Sequence, residues 1–220
     1  MKKNKINDIE MASRRNALKT LALGGLFING IGGLLANDQK TSISENWGGI
    51  SPFHHPALPP LEAGEDGMAI RTLVKSSQTN NQISCVECAV APRKMGPAPH
   101  THEALDEMMV VLEGTASVLV GDQVYQVEAG GWHMRPRKLV HTFWNASDKP
   151  LRFIDFYPNQ DFDLYLEEIF HEIGPKVKKG LIKYSDPEVV ERMKFLHSKY
   201  GMVSFRDQKQ AIIDKYNLID

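Results

Sequence analysis

Nowhere between Met68 and Tyr157 does an apolar run go far before a glycine, a proline or a turn cluster cuts it. Met68–Val74 and residues 83–91 read as strands either side of Ser76-Ser77-Gln78-Thr79-Asn80-Asn81. Residues 116–120 and 123–127 flank Gly121-Asp122, a two-residue hairpin with glycine where a positive φ is wanted. Glu128-Ala129-Gly130-Gly131, Arg135-Pro136-Arg137-Lys138 and Asp148-Lys149-Pro150 turn the chain again, and residues 151–157 return as a last strand. Many short strands at near-regular spacing predict an all-β barrel or jelly roll.

One stretch inside this array carries chemistry. His100 and His102 are two apart, so on an extended strand they point to the same side. Glu107 can join them if Glu103-Ala104-Leu105-Asp106 bends the chain back, and Met108-Met109-Val110-Val111-Leu112 then reads as the next strand, ended by Glu113-Gly114. Two imidazoles and a carboxylate suit a divalent first-row metal. A lone His-x-His is more often surface polarity at a strand end. Here a second segment, from Gly130 to Asn145, adds His141 as a further candidate ligand.

These residues resemble the cupins. Their first motif, G-x5-H-x-H-x3,4-E-x6-G, is matched at His100, His102, Glu107 and Gly114, and their second, G-x5-P-x-G-x2-H-x3-N, at Gly130, Pro136, His141 and Asn145. Two glycines depart: the opening one falls at Lys94, with Gly96 nearby, and the inner one of the second motif is Lys138. Both are turn positions, so loop shape is in question more than ligation. The resemblance spans residues 96–145. It implies a cupin jelly-roll β-barrel with His100, His102, Glu107 and His141 as metal ligands. The metal expected is a divalent ion, with iron(II), manganese, nickel and zinc not distinguished. Met109, Val111 and Phe143 are candidates for the apolar lining, and Trp144 and Asn145 for positions behind the ligands; His133 lies outside the motif and reads as a strand-surface residue.

Charge singles out the amino-terminal segment. Over all 220 residues the net charge is −1, with 24% charged and 42% hydrophobic residues, which gives no electrostatic case for nucleic acid. Residues 37–220 hold 20 bases and 25 acids, whereas residues 1–36 hold six bases and two acids. Ser13-Arg14-Arg15-Asn16-Ala17-Leu18-Lys19 precedes a stretch, 20–37, without charge. Basic then apolar is the pattern of an export signal. The paired arginines resemble a twin-arginine signal, which implies a folded, exported, periplasmic protein with no membrane contact after signal removal. The rival reading is an amino-terminal anchor in the inner membrane, because the run is about long enough to span; Gly24, Gly25, Gly30, Gly32 and Gly33 weaken it.

The expected organisation is thus a signal at 1–36, a Pro-rich extended arm at 37–66, a cupin barrel at 67–160 and a helical extension at 161–220. Pro52, Pro56, Pro59 and Pro60 keep the arm irregular, lying over the barrel or over a neighbouring subunit, and its His54-His55 pair reads as solvated. Cys85 and Cys88 sit three apart on a strand, facing opposite sides with Cα atoms roughly 10 Å apart, beyond disulfide reach. In the extension, apolar residues at spacings of three and four predict a helix over 161–173 stopped by Gly174-Pro175. Ser185-Asp186-Pro187-Glu188 predicts a capped second helix ended by Gly201, and 208–218 a third. Lys176 to Lys179 reads as a solvated charge run.

Function is narrowed only to class. The resemblance implies a metal-binding protein acting on a small organic molecule as a metal-dependent dioxygenase. The alternatives are an isomerase, decarboxylase or lyase using the metal as a Lewis acid, or a non-catalytic binding module. The partner expected is a small-molecule substrate or ligand, with a homodimer left open.

Overall fold

The computed structural model describes residues 49–64 and 67–219; the export-signal reading at 1–36 falls outside them. Ten strands alternate with the predicted turns: β1 (Met68–Val74), β2 (Ile83–Val90), β3 (His100–His102), β4 (Glu107–Glu113), β5 (Thr115–Val120), β6 (Gln123–Glu128), β7 (Trp132–Arg135), β8 (His141–Trp144), β9 (Leu151–Pro158) and β10 (Met202–Ser204). They form two five-stranded antiparallel sheets, ordered β1-β2-β9-β4-β7 and β10-β3-β8-β5-β6. This is the expected jelly roll. Non-sequential neighbours, such as β9 between β2 and β4, are what bring distant segments to one wall.

Period-2 alternation assigns the faces. On β9 the buried residues are Leu151, Phe153, Asp155 and Tyr157, and on β4 Glu107, Met109 and Val111. With Val86, Cys88 and Val90 of β2 and Ala116, Val118 and Phe143 of the facing sheet they make the core. Cys85 and Cys88 are both free and buried, as the strand geometry requires. Burial pushes the Cys85 thiol up to about 11 and that of Cys88 well above its ordinary value, so both favour the neutral thiol.

The carboxyl-terminal extension does more than pack. Helix α1 (Phe162–Glu167) is not stopped at Gly174-Pro175. It widens into a π-helical turn, Glu168–Ile173, and continues as α2 (Gly174–Lys178). The wider turn lets the Gly174 N–H reach the Ile169 carbonyl, five residues back, so the chain enters Pro175 without breaking. Lys176 and Lys178 then fall in the last turn of α2 rather than on a coil. Helix α3 (Pro187–Lys199) begins on its first-turn proline, but the expected capping box does not form: Asp186 Oδ2 instead accepts the Lys183 N–H at 2.8 Å. After Gly201 the chain forms β10, a strand the sequence reading lacks, and pairs Met202, Val203 and Ser204 with His102, Thr101 and His100. The tail thereby covers the open edge of the strand carrying two candidate ligands. Helix α4 (Lys209–Tyr216) follows, and its Ile213 joins Leu218, just beyond its end, in a cluster with Trp144 and Met95. Among the described residues, no helix is long and apolar enough to cross a membrane.

Candidate metal centre

The two sheets bring His100, His102, Glu107 and His141 together. One donor atom from each lies within 4.8 Å of all the others, and all four residues are buried. His100 and His102 come from β3, and His141 sits directly opposite His100 on β8. Glu107 opens β4 in the facing sheet, so the site bridges the barrel. The bend between β3 and β4 is held from the β7–β8 loop. The Arg137 backbone N–H and Nε donate to Asp106 Oδ1 at 2.9 and 3.0 Å, and the Lys138 N–H donates to the His102 carbonyl at 2.8 Å.

Hydrogen bonding fixes which ring nitrogens face inward. His100 Nδ1 lies 2.9 Å from the Ala98 carbonyl and His141 Nδ1 lies 3.0 Å from that of Leu139. A carbonyl only accepts, so each Nδ1 carries the proton and each Nε2 presents a lone pair. His102 Nε2 is 3.0 Å from Glu107 Oε1 and His141 Nε2 is 3.4 Å from Oε2, yet neither contact has hydrogen-bond alignment. Buried acceptors aimed at one another without a shared proton are costly unless a cation lies among them. The donor set fits a divalent metal on that ground.

The site's surroundings set its charge. Burial pushes His100 down to about 3, with His141 adding to the fall, so His100 is neutral and ready to ligate. Burial alone would raise Glu107. The Arg135 guanidinium opposes it, and the carboxyl is held well below the usual range. Arg135 is fully buried, with Nη2 3.1 Å from Glu107 Oε2 and 2.6 Å from Asp155 Oδ1. Asp155 is pushed up to about 6 by burial, against the pull of Arg135. One guanidinium thus serves two carboxylates, and the interior is left short of positive charge.

Sequence reasoning missed this pair. Arg135 had been placed in a turn, whereas it ends β7 opposite Glu107. Asp155 carried a legible signal: it is the one acid on the inward face Leu151, Phe153, Asp155, Tyr157. Met109, Val111 and Phe143, the candidates for the apolar lining, are all in the core. Phe162 of the extension adds to it, its ring edge-on to His102 with centroids 5.0 Å apart.

Two expectations about residues behind the ligands are corrected. Trp144 faces away, its ring tilted against that of Tyr216 in the cluster under α4, because adjacent strand residues alternate sides. Asn145 ties a turn: its Nδ2 donates to the carbonyls of Val90, Ala91 and Lys149, and its Oδ1 accepts from Ser147. His133 lies on β7, half-buried against Tyr125, outside the cluster, and His54 and His55 are exposed.

Residues 86–157 match the family model Cupin_2, described as cupin domain. Over those residues the chain is similar to a cupin domain. Solved structures similar to it include KdgF from Halomonas sp., at 20% identity over 46% of this chain and 86% of that one. A cupin-superfamily sugar phosphate isomerase from Silicibacter pomeroyi has 21% identity over 44% and 63%. The polyketide cyclase RemF from Streptomyces resistomycificus has 26% identity over 45% and 70%. Each has a TM-score of 0.39, too low to carry a substrate or a reaction across. Among curated proteins, none matches.

Proposed function

We propose that the cupin domain is a metal-dependent enzyme acting on a small organic molecule, with dioxygenase chemistry as the first reading. The observation that carries metal dependence is the buried convergence of His100, His102 and His141, the first and last with inward lone pairs, beside a Glu107 carboxylate that Arg135 keeps ionised. An iron(II) ion held by these four would supply open positions for dioxygen and a chelating substrate. All four ligands are buried and the Phe162 ring stands edge-on to His102, an enclosure that limits side reactions with water. Dioxygen, being small and apolar, suits a site whose ligands are so enclosed.

Asp155 favours a second reading, an isomerase or lyase. A buried carboxyl near 6 can take and return a proton around neutral pH, which such reactions need and oxygenation does not. Metal analysis of the native protein comes first, followed by oxygen consumption with enediol and phenol substrates. Uptake that depends on loaded iron supports the dioxygenase. Anaerobic turnover without uptake transfers the proposal to the Lewis-acid reading, and a protein without stoichiometric metal sinks both. The proposed setting is the periplasm, which the intact or processed amino terminus of exported protein would test by mass.

A further inference from the structure

The outer face of the sheet β1-β2-β9-β4-β7 is divided by chemistry. Its β1–β2 half is charged and covered. Glu87 takes both Arg71 and Arg152, the latter at 2.6 Å, and accepts the Leu61 backbone N–H, while Arg71 also donates to the Pro59 carbonyl at 2.8 Å. The other half is apolar and bare. Strand register sets two rows across it, Met134–Met108–Phe156 and Trp132–Val110–Ile154. Trp132 is 61% exposed, Met134 49% and Met108 37%, and the Trp132 and Phe156 rings lie nearly parallel, 15° apart. No charged side chain interrupts these rows. A patch of this kind marks an interaction site rather than ordinary surface.

The chain also carries a segment that suits it. Residues 51–60 are exposed without a break, Phe53 by 45% and Leu58 by 50%. They hold no Asp, Glu, Lys or Arg, and Pro56-Ala57-Leu58-Pro59 is a PxxP sequence. Such segments are stiff before they bind and dock on aromatic surfaces at little entropic cost. Residues 51–60 do not lie on that surface in their own protomer, where they stay exposed. Pro59 and Leu61 are tied to Arg71 and Glu87 of β1 and β2, and Gly49 lies beside Asn80, in the turn joining those two strands. The β7 edge is three strands beyond β2, roughly 14 Å away.

We infer that residues 51–60 of one copy lie across the β9–β4–β7 face of a second copy, in a reciprocal dimer. The two contacts are equivalent and self-complementary, as a two-fold axis requires. Arm and face are both needed. Three exposed side chains do not fill the ~800 Å² per partner of a stable dimer, whereas ten exposed residues from each arm extend the contact.

Sedimentation of the full chain at micromolar concentration tests this. The wild type is expected as a dimer. Trp132→Glu and Leu58→Glu each place a charge in both contacts and are expected as monomers, with far-UV spectrum and metal content unchanged because both side chains are at the surface. Mixing the two variants is the decisive arm, because one pairing in the mixture keeps an intact arm on an intact face. A mixture that regains dimer while neither variant alone forms one supports arm exchange. A mixture that stays monomeric overturns it, and a Leu58→Glu variant that stays dimeric beside a monomeric Trp132→Glu variant overturns it in favour of face against face. A monomeric wild type, or variants that remain dimeric, overturns it outright, and the face then belongs to residues 1–48 or to another partner.

Discussion

Nη2 of Arg135 stands 3.1 Å from Glu107 Oε2 and 2.6 Å from Asp155 Oδ1, with all three side chains buried. Removing one member of such a network leaves uncompensated buried charge, which costs about 3–5 kcal/mol. Arg135→Met strands two carboxylates and is expected to lose that much in urea unfolding of the metal-free protein. The double variant Arg135→Met with Asp155→Leu is expected to lose less than the single, because the second change removes a stranded charge. A single-variant loss under about 1 kcal/mol would show that the pair is a bystander.

Metal binding is expected to act on folding through the same site, since the donors converge only in the folded chain. His102→Ala is expected to cut bound metal at least tenfold, and Glu107→Gln likewise, whereas His133→Ala retains it. Stripping the metal removes stability of about 4 kcal/mol if the ion had been present at a thousandfold excess over its dissociation constant. Thermal unfolding with and without a chelator measures this directly. Equal melting temperatures in both conditions would count against a resident ion.

How much of this was legible depends on whether the determining contact was local. The succession of strands along the chain came through because its turns are local: Gly121 does adopt positive φ, and the last strand of the hairpin array is Leu151–Pro158. His100, His102, Glu107 and His141 were legible through spacing. Arg135 was not, because a guanidinium beside Pro136 reads as a surface turn until β7 is registered on β4, and that pairing is set by the whole sheet. Strand β10 was missed for a like reason. Met202-Val203-Ser204 is too short to show a period, and it exists because β3 offers an open edge. The continuation past Gly174-Pro175 was missed because a π turn absorbs the proline that should have ended the helix.

Acid is expected to weaken the metal-free protein through His100. Its folded pKa is lowered from 6.5 to about 3, so the folded state binds fewer protons than the unfolded chain between those values. The stability it contributes is full above 6.5 and falls as pH drops toward 3. By pH 5 the loss from this residue is about 2 kcal/mol. Asp155 works in the opposite sense. Raised to about 6, it binds protons in the folded state first, and so adds stability as pH falls from 6 toward 3.8. The two are separated by difference: stability of wild type minus that of His100→Gln is expected to shrink by about 2 kcal/mol from pH 7 to pH 5. A flat difference would mean that the imidazole is not held neutral.

The last prediction concerns the two turn positions at which the motif glycine is kept and lost. Gly114 has φ +78, and a Cβ there would meet the Pro150 carbonyl oxygen at 2.4 Å. That neighbour is backbone at the start of the β9 hairpin and cannot yield cheaply. Lys138 stands where the second motif has glycine, yet it adopts φ +66, the conformation glycine takes without strain. The loop shape therefore survives the substitution, at a cost of roughly 1–2 kcal/mol held in one residue. Its amide still donates to the His102 carbonyl, which is why the strain is tolerated beside the site. Gly114→Ala is expected to destabilise by more than about 2 kcal/mol. Lys138→Gly is expected to gain a net 0.5–1 kcal/mol or so, after the added freedom of the unfolded chain is subtracted. Its ion pair with Glu103 offsets little of that gain, because both side chains are largely in water. Urea unfolding of the two variants side by side reads both signs, and a Lys138→Gly variant less stable than wild type would show that the lysine relieves its own strain through contacts the glycine lacks.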